Sequence, residues 1–445
     1  MRIAMIGGGY VGLVSGACFA EFGVDVAVVE VDTAKLEALQ AGRMPIYEPG
    51  LDRLVAENVA AGRLSFGNDV AAAVRGAEAV FIAVGTPTRR GDGHADLTYV
   101  YAAAEQLARA LTGYAVIVTK STVPVGTGAT IAEIVRAANP ALEFDVASNP
   151  EFLREGSAIG DFMRPDRVVI GAEGERARAV LSRIYRPLYL IEAPIVFTSI
   201  ETAELVKYAA NAFLAMKVTF INEMADLCEK LGADVHDVAR GIGLDGRIGR
   251  KFLHPGPGFG GSCFPKDTLA LVRIAQDAGA PSRLVEAVVA VNDSRKAGMA
   301  MRIVHAMGGS VRGKTIAVLG LTFKPETDDM RDAPSLPIVT RLIEDGAHVR
   351  AFDPEGIASA RPLLPGAVTY CRDAMDAAQG ADALVLVTEW NEFRALSPER
   401  LAEAMRGRVV VDLRNVYEPE AMRAAGFAYH GIGRALPRPR AKATG

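Results

Sequence analysis

The opening third of the chain alternates between short apolar runs and turns rich in glycine and polar side chains. Residues 2–6 predict a buried strand, the next residues through Ala20 predict a helix that stops at Gly23, and residues 26–29 predict a second strand. Strands that are apolar at every position are typical of a parallel sheet covered on both faces. Three more strands are predicted at residues 79–84, 115–119 and 144–148.

A second sheet of the same kind is predicted in the last third of the chain. Runs at residues 316–320, 349–353, 383–387 and 409–412 match those at 3–7, 26–30, 79–83 and 115–119 in turn. A long helical stretch to about Leu231 precedes them, and Thr198 and Glu201 have the spacing of a capping box at its start. We therefore expect an α/β fold: two Rossmann-like doubly wound domains joined by a long central helical domain. The predicted domains are residues 1–198, 199–300 and 301–435, followed by a disordered tail at 436–445.

Composition narrows the class of protein. The 445 residues carry a net charge of −4, which gives no reason to expect nucleic acid or an anionic membrane as a partner. No apolar run approaches the roughly 20 residues that span a bilayer, and we expect no signal peptide because the chain enters a strand directly. The four cysteines share no CxxC spacing, which favours reduced thiols in the cytoplasm. The six scattered histidines predict no metal site.

Glycines 7, 9 and 12 form a GxGxxG pattern between the first strand and the first helix, and Glu30 ends the second strand. This context predicts dinucleotide binding, with the pyrophosphate at the helix N-terminus next to Tyr10 and Val11. The Glu30 carboxylate would accept hydrogen bonds from the ribose hydroxyls and repel the 2′-phosphate of NADP. We therefore predict NAD, although Lys35 nearby acts against this discrimination.

A cysteine within a glycine-rich loop is the most distinctive feature of the middle of the chain. Residues 256–267 read GPGFGGSCFPKD, so that Lys266 and Asp267 follow Cys263 by three and four positions. A neighbouring lysine favours the thiolate, which is the form that attacks a carbonyl carbon. The alternative for Cys263 alone is a buried cysteine in a tight turn.

Further polar residues occur where ligands of α/β sheets bind. Thr86, Ser121 and Thr122, and Glu151 follow the ends of predicted strands, although ordinary turn chemistry accounts for each loop alone. Lys207 and Asn211 are four residues apart, on one face of the long helix. A solvated polar stripe is the alternative there, but the neighbouring residues are small and apolar.

The first loop of the second sheet lacks the glycine pattern. It carries Lys324, and Arg331 follows seven residues later. These cations indicate a phosphorylated ligand other than a second NAD.

Four motifs together resemble the nucleotide-sugar dehydrogenases of the UDP-glucose/GDP-mannose dehydrogenase family. They are GFGGSCFPKD at 258–267, NPEFLRE at 149–155, ELVKYAAN at 204–211 and RIGRKFL at 247–253, and the resemblance extends from residue 1 to about 433. It implies an NAD-dependent, four-electron oxidation of the C6 alcohol of UDP-glucose to a carboxylate, with two NAD and one water consumed. It also implies a homodimer whose active site is shared between subunits.

The resemblance assigns roles to the residues. Cys263 would form a thiohemiacetal and then a thioester, Lys207 and Asn211 would stabilise the oxyanion, and Asp267, Glu151 and Thr122 would manage the water and its protons. The implied cofactor-binding residues are Gly7, Gly9, Tyr10, Val11, Gly12, Glu30, Lys35, Thr86, Ser121, Thr122, Glu155, Lys266 and Arg331. The implied substrate-binding residues are Glu151, Phe152, Leu153, Lys207, Asn211, Arg247, Phe252, Leu253, His254, Pro255, Gly256, Gly260, Lys324 and Arg414.

The sequence alone also permits other substrates and other classes of protein. Residues 254–257 precede the cysteine loop and vary within the family, so GDP-mannose or a UDP-N-acetylhexosamine is an alternative substrate. A protein of another class, a non-catalytic NAD-binding redox sensor, would need the fingerprint and Cys263 but not Lys207, Asn211, Glu151 and Asp267 together. A two-electron β-hydroxyacid dehydrogenase would keep the lysine–asparagine pair without needing the thiol.

Overall fold

The computed structural model describes residues 1–89 and 91–434. The predicted disordered tail, residues 436–445, lies outside the described residues. The contacts between residues divide the chain into two compact units. Unit 1 comprises Met1–Ala210 and Leu269–Pro281, and unit 2 comprises Asn211–Thr268 together with the chain from Ser282 onward.

The sheet of unit 1 has, within the described ranges, the strand order β3-β2-β1-β4-β5-β6-β7-β8. All neighbouring strands are parallel except β6 and β7, which pair antiparallel through Ala147–Ala172 and Ser148–Gly171. The order reverses between β1 and β4, which is the crevice where ligands of doubly wound sheets bind. The strands are β1 (Arg2–Ile6), β2 (Asp25–Val29), β3 (Leu64–Gly67), β4 (Ala79–Ile82), β5 (Ala115–Thr119), β6 (Phe144–Ser148), β7 (Val168–Ala172) and β8 (Ile195–Thr198).

The sheet of unit 2 is parallel throughout the part of the chain that the structure describes, in the order β11-β10-β9-β12-β13-β14. The inner strands pair over four or five residues each, and the edge strand β11 is only two residues long. The strands are β9 (Thr315–Leu319), β10 (His348–Phe352), β11 (Thr369–Tyr370), β12 (Ala383–Leu386), β13 (Val409–Asp412) and β14 (Ala428–Gly431).

Helices connect the strands and cover the sheets. Those before the second sheet are α1 (Tyr10–Glu21), α2 (Thr33–Gln40), α3 (Leu51–Ala60), α4 (Val70–Val74), α5 (Thr98–Ala110), α6 (Thr127–Ala138), α7 (Ala158–Met163), α8 (Glu175–Ile184), a 3-10 helix (Arg186–Ile191), α9 (Ile200–Leu231), α10 (Val235–Gly243), α11 (Phe264–Asp277) and α12 (Arg283–Ala306). The remaining helices are α13 (Ser335–Glu344), α14 (Ile357–Ala360), α15 (Ala374–Ala378), α16 (Asn391–Arg394), α17 (Pro398–Ala404) and α18 (Pro419–Ala424).

Both faces of each sheet are buried, which explains the uninterrupted apolar runs. In β1, Ile3 and Met5 belong to one apolar cluster, and Ala4 and Ile6 belong to another on the opposite face. Successive side chains of a strand point to opposite faces, so a strand covered on both sides must be apolar throughout. The predicted α/β class with two Rossmann-like sheets and a long helical segment between them in the chain is confirmed.

Helix α9 has the predicted extent, but its N-terminal cap differs from the prediction. Thr198 is the last residue of β8, and the hydroxyl oxygen of Ser199 accepts a hydrogen bond from the backbone N–H of Thr202 at 3.2 Å. The predicted capping box between Thr198 and Glu201 is therefore wrong by one residue. The helix ends at Leu231, and the next residue, Gly232, has a φ of +82° and donates its N–H to the carbonyl of Cys228 at 2.9 Å.

Candidate active site

The glycine loop between β1 and α1 has the geometry of an anion-binding turn. Gly7 has a φ of +108°, and a Cβ there would lie 2.7 Å from the carbonyl oxygen of Ala83. A Cβ at Gly12 would lie 1.9 Å from the carbonyl oxygen of Gly7. At Gly9 a Cβ would meet nothing within 4 Å, and this residue precedes α1 without a side-chain cap. Gly7 and Gly12 thus allow close packing, and Gly9 leaves the helix N-terminus accessible to a phosphate.

Glu30 lies immediately after β2 and is 7% exposed. Its carboxylate accepts hydrogen bonds from the backbone N–H of Gly8 at 3.2 Å and of Asp32 at 2.8 Å. These contacts fix the carboxylate against the glycine loop, as expected of a residue that binds a ribose. Lys35 is exposed in the first turn of α2, where its backbone N–H bonds the Asp32 side chain. The fingerprint and Glu30 fit the adenosine half of NAD.

Glu48, which the sequence analysis missed, connects Tyr10 by hydrogen bonds to the loop that carries Glu155. Glu48 is 6% exposed and accepts a hydrogen bond from the Tyr10 hydroxyl. It also accepts the backbone N–H groups of Gly156 at 2.6 Å and Ala158 at 2.7 Å. Burial, together with this carboxylate, raises the pKa of Tyr10, so the phenol remains a donor. Glu48 therefore connects two predicted cofactor-binding segments.

The exits of β4 and β5 are joined by side chains predicted to bind the cofactor. The Thr86 hydroxyl donates to the carbonyl of Thr122 at 2.9 Å, and the Ser121 hydroxyl donates to the carbonyl of Val84 at 2.6 Å. Thr86 and Ser121 are both buried. These bonds hold two neighbouring loops together at the carboxyl edge of the sheet.

Glu151 and Lys207 form a buried ion pair within unit 1. The Lys207 ammonium lies 2.9 Å from Glu151 Oε1, and the two side chains are only 3% and 6% exposed, respectively. Burial acts to raise the pKa of Glu151, but the charge and hydrogen bond of Lys207, the N–H of Leu153 and the charge of Lys120 outweigh it, so the pKa is lowered. Lys207 Nζ also lies 5.4 Å from the ring centroid of Phe152. The carboxylate is thus held ionised although it is out of water.

Cys263 lies immediately before α11, so its thiol is at the N-terminus of a helix. The carbonyl of Cys263 accepts the backbone N–H of Asp267 at 2.8 Å, and its Sγ lies 3.5 Å from the Ser262 hydroxyl oxygen. The positive end of a helix dipole stabilises negative charge, including that of a thiolate. Cys263 is partly exposed, whereas Cys18, Cys228 and Cys371 are buried. It is therefore the cysteine placed for chemistry within the described residues.

Asp267 is fully buried one turn further along α11. Its carboxylate accepts a hydrogen bond from Asn211 Nδ2 at 2.6 Å and another from Lys266 Nζ at 2.6 Å. Asn211 is itself 6% exposed. The predicted neighbours on α9 thus have separate carboxylate partners: Lys207 pairs with Glu151, and Asn211 pairs with Asp267.

Buried polar side chains clamp the backbone of the glycine-rich loop, and the sequence analysis missed them. The N–H of Gly256 donates to Asn222 Oδ1 at 2.8 Å, and its carbonyl accepts Arg295 Nε at 2.7 Å. Asn292 binds both sides of Phe259: Oδ1 accepts the N–H at 2.8 Å, and Nδ2 donates to the carbonyl at 3.1 Å. The loop before Cys263 is thereby fixed although it belongs to no helix or strand.

Close backbone packing explains the glycines of this loop. A Cβ at Gly260 would lie 2.4 Å from the carbonyl oxygen of Asp332. The N–H of Gly261 donates to the carbonyl of Arg331 at 2.7 Å. The Arg331 guanidinium is 63% exposed and bonds Asp329 through Nε at 2.8 Å and Nη2 at 2.9 Å. The structure therefore brings the segment around Arg331 against the cysteine loop.

Arg414 joins three loops of unit 2. Its guanidinium donates to the carbonyls of Val387 at 2.8 Å and Phe323 at 3.0 Å. A Cβ at Gly256 would lie 2.9 Å from Arg414 Nη1. Lys324 follows Phe323 in the same loop, and its ammonium lies 5.3 Å from the centroid of the Phe323 ring. Arg414, Lys324 and Gly256, all predicted to bind the substrate, thus lie at one end of the second sheet.

The segment before the glycine-rich loop combines backbone strain with exposure. Phe252 has a φ of +65°, which is uncommon for a bulky residue and occurs mostly where the surroundings enforce it. Leu253, Pro255 and Gly256 are buried, while His254 is exposed. Arg247 precedes them with a side chain that is 90% exposed and pairs with Asp245 at 2.6 Å. The charge of Arg247 is thus exposed to solvent and paired with a residue two positions earlier in the chain.

The predicted site residues form two groups, each assembled within its own unit. The first contains the glycine fingerprint, Glu30, Lys35, Thr86, Ser121, Thr122, Glu151, Phe152, Leu153, Glu155 and Lys207. The second contains Asn211, Arg247, residues 252–256, Gly260, Cys263, Lys266, Asp267, Lys324, Arg331 and Arg414.

Within residues 1–89 and 91–434, no helix combines the length and the apolar composition that a membrane span requires. No group of three or more His, Cys, Asp or Glu in the same ranges is arranged to hold a metal ion.

Comparison with known proteins identifies the family. Three models of the UDP-glucose/GDP-mannose dehydrogenase family match in succession: the NAD binding domain at residues 1–189, the central domain at 201–294 and the UDP binding domain at 317–419. The chain is 62% identical to the UDP-glucose 6-dehydrogenase of Rhizobium meliloti, over 98% of this chain and 100% of that protein. The chain belongs to the UDP-glucose/GDP-mannose dehydrogenase family.

Solved structures of the family have the same fold. A UDP-glucose dehydrogenase from the archaeon Pyrobaculum islandicum superposes with a TM-score of 0.90 at 41% identity, with 98% of each chain covered. A UDP-D-ManNAc dehydrogenase from Pyrococcus horikoshii superposes with a TM-score of 0.84 at 28% identity, over 98% of this chain and 99% of that one. Within the family's division, Glu30 and Glu151 lie in the NAD binding domain, Cys263 in the central domain, and Arg414 in the UDP binding domain.

Proposed function

We propose that this chain is a UDP-glucose 6-dehydrogenase that uses NAD. The reaction converts UDP-glucose, two NAD⁺ and one water into UDP-glucuronate, two NADH and three protons. The observation that carries the proposal is the position of Cys263 at the N-terminus of α11, one turn before the buried Asp267. The 62% identity to a UDP-glucose 6-dehydrogenase supports the choice of sugar nucleotide.

The need for a thiol follows from the reaction. Removing a hydride and a proton from the C6 alcohol gives an aldehyde, and NAD, when bound, supplies the hydride acceptor. Addition of the Cys263 sulfur to the aldehyde carbon forms a thiohemiacetal, which keeps the substrate attached and can lose a second hydride. Loss of that hydride and of the hydroxyl proton gives a thioester. Water then attacks the thioester carbon, and the C–S bond breaks to release the carboxylate and regenerate the thiol.

Two carboxylates carry the protons in this proposal. Asp267 orients the water and accepts its proton, since its carboxylate is oriented by Asn211 and Lys266. Glu151 accepts protons during thioester cleavage, and its ionised state is maintained by Lys207. Thr122 helps to hold the water. Lys207 and Asn211 donate hydrogen bonds to the oxyanion that forms on addition of sulfur or water.

In this proposal the adenosine and pyrophosphate of NAD and the UDP part of the substrate are bound by residues of different units. Glu30 and the glycine fingerprint bind the adenosine and pyrophosphate of NAD, with Lys35, Thr86, Ser121, Glu155, Lys266 and Arg331 contributing to the cofactor site. Lys324 and Arg414 bind the UDP part of the substrate. Residues 252–256 bind the sugar nucleotide together with Gly260, Phe152 and Leu153.

We also infer a cytoplasmic homodimer with a shared active site. Three apolar residues of α9 are exposed at seven-residue spacing, Phe213 at 59%, Phe220 at 45% and Leu227 at 47%. A seven-residue repeat places them on one face of the helix, which supports packing against a second copy. The Arg247 side chain is 90% exposed and paired with the nearby Asp245 at 2.6 Å, so it is accessible to a partner subunit, as a residue of the partner's sugar site would be.

A substrate comparison tests the proposed specificity. The purified protein is given NAD with UDP-glucose, GDP-mannose or UDP-N-acetylmannosamine, and kcat/KM is measured for each. We expect UDP-glucose to be preferred by a factor of about 10² or more, as for sites that hydrogen-bond one substrate and leave polar groups unpaired with another. A larger kcat/KM for GDP-mannose or UDP-N-acetylmannosamine would show that UDP-glucose is not the preferred substrate. Absence of NADH formation with all three would contradict dehydrogenase activity.

A further inference from the structure

A buried lysine in unit 1 interacts electrostatically with both Glu151 and Lys207 and has no role in the mechanism above. Lys120 is 3% exposed. Its ammonium donates hydrogen bonds to Asn149 Oδ1 at 3.0 Å and to the Tyr185 hydroxyl at 3.2 Å. The Tyr185 hydroxyl in turn donates to Asn149 Oδ1 at 2.5 Å. Asn149 and Tyr185 are 1% and 3% exposed, so the three side chains form a closed polar cluster inside unit 1.

The cluster connects the two strand exits that carry predicted catalytic residues. Lys120 follows the last residue of β5 and precedes Ser121 and Thr122. Asn149 follows the last residue of β6, and Glu151 lies two positions later. The Asn149 side chain also donates to the carbonyl of Val169 at 2.8 Å. The Lys120 ammonium therefore fixes the position of the loop that carries Thr122 relative to the loop that carries Glu151.

The charge of Lys120 acts on the same ion pair. Burial lowers the pKa of Lys120 to about 8; the carboxylate of Glu151 counteracts this shift, and the ammonium of Lys207 adds to it. Lys120 is therefore mostly charged at pH 7 and loses its charge above about pH 8. In return its charge contributes to keeping the pKa of Glu151 low. Arg167 also interacts with Glu151 electrostatically, so three cations share this carboxylate.

A buried lysine is costly to the fold unless its charge is compensated. The aromatic rings around Lys120 belong to Phe162, at 5.7 Å from the ammonium to the ring centroid, and to Tyr185, at 6.0 Å. They stabilise a cation weakly compared with a carboxylate. A glutamine or methionine would fill the same space without the cost of burying a charge. The presence of a charged side chain is thus explained by the carboxylate it acts on.

We propose that Lys120 is a positioning residue of the dehydrogenase reaction, which fixes the loops of Thr122 and Glu151 and stabilises the Glu151 carboxylate electrostatically. The inference rests on the proposed function. It predicts that removing the charge of Lys120 makes Glu151 easier to protonate. As the pH is lowered, activity should then begin to fall at a higher pH than in the wild-type protein. A purely structural role predicts lower stability without such a change.

The test compares four variants of the full-length protein by the pH dependence of kcat with UDP-glucose and NAD. Lys120→Met and Lys120→Gln both remove the charge. The glutamine can still form hydrogen bonds, so Lys120→Gln serves as the neutral variant if Lys120→Met does not fold. Lys120→Arg retains the charge. Tyr185→Phe is the matched control, because it removes a hydrogen bond from the same cluster and no charge at neutral pH. Thermal unfolding and NAD binding are measured for all four.

We expect the acid limb of the kcat profile to move to higher pH in both neutral variants and to stay in place in Lys120→Arg and Tyr185→Phe. A limb displaced by about one pH unit lowers kcat along it roughly tenfold. NAD affinity should be unchanged. An unmoved limb in both neutral variants, or an equal movement in Tyr185→Phe, would overturn the role of Lys120 while leaving the proposed function intact. An inactive wild-type protein would instead overturn the proposed function.

Discussion

Truncating Asn292 should uncouple the glycine-rich loop from its scaffold. Asn292 lies on α12, is 3% exposed, and bonds both the N–H and the carbonyl of Phe259, four residues before Cys263. Asn292→Ala removes both partners and leaves two buried backbone groups unpaired. Leaving a buried polar group unsatisfied costs about 1–3 kcal/mol, so the loop conformation should lose on the order of 2–6 kcal/mol.

This loss of free energy is large for the conformation of one loop but smaller than the stability of a whole domain. A domain is stable by about 5–15 kcal/mol, so unit 2 should remain folded while the loop leaves its native conformation. Because about 1.4 kcal/mol corresponds to a factor of ten in rate, we expect kcat/KM for UDP-glucose to fall by about 10²-fold or more. NAD binding should change little, since the fingerprint and Glu30 lie in unit 1.

The assay combines kcat/KM with urea unfolding, and Asn58→Ala is the matched control. Asn58 is fully buried in unit 1, where its side chain bonds Glu21, Leu54 and Arg63. Its truncation should lower stability comparably and leave kcat within about threefold of wild type, because substitutions away from the active site act mainly through stability. Wild-type kcat/KM in Asn292→Ala, or equal losses of kcat/KM in both variants, would refute the loop scaffold.

Three further predictions concern the cysteine, the cofactor and the subunit arrangement. Cys263→Ser should lower the steady-state rate by at least about 10²-fold without weakening NAD binding, whereas Cys228→Ser should retain the rate; equal rates for Cys263→Ser and wild type would make that cysteine structural. Glu30 should give NAD a higher kcat/KM than NADP, and Glu30→Gln should narrow the ratio; a wild-type ratio near one would exclude this role. Mixing inactive Cys263→Ala with inactive Arg247→Ala should restore activity through one intact site per mixed dimer, and verified mixed dimers without activity would place Arg247 in its own chain's site or in none.

Most of the strands that the sequence predicted have two buried faces. Residues 2–6 and 115–119 coincide with β1 and β5, which are almost entirely buried and apolar, as burial on both sides requires. Residues 144–148 coincide with β6, although this strand contains Asp145 and is buried only at Ala147 and Ser148. The edge strands β3 and β8 escaped prediction because their faces are partly open; Val196 and Phe197 of β8 are 47% and 37% exposed. β7 is fully buried and as long as β1, yet the sequence analysis did not identify it. Its antiparallel direction depends on pairing with β6, which no local pattern records.

The same distinction between local and long-range information applies to the site. The fingerprint glycines, Glu30 and the cysteine loop were predictable because their chemistry requires fixed residue types at fixed spacing. Asn222 and Asn292 were not, because each bonds a loop residue 34 or 33 positions away and looks like any polar helix residue in the sequence. Lys120 and Glu48 escaped for the same reason. The pairing of Lys207 with Glu151 likewise joins residues 56 positions apart.

The number of hydride equivalents taken from each substrate molecule tests the account most directly. UDP-glucose is supplied as the limiting reagent with excess NAD, and the NADH formed is measured by absorbance after the reaction is complete. Retention of the aldehyde on Cys263 predicts two NADH per UDP-glucose, with UDP-glucuronate as the product and no free aldehyde. A plateau at one NADH per UDP-glucose would contradict the four-electron reaction and the role of Cys263 in it.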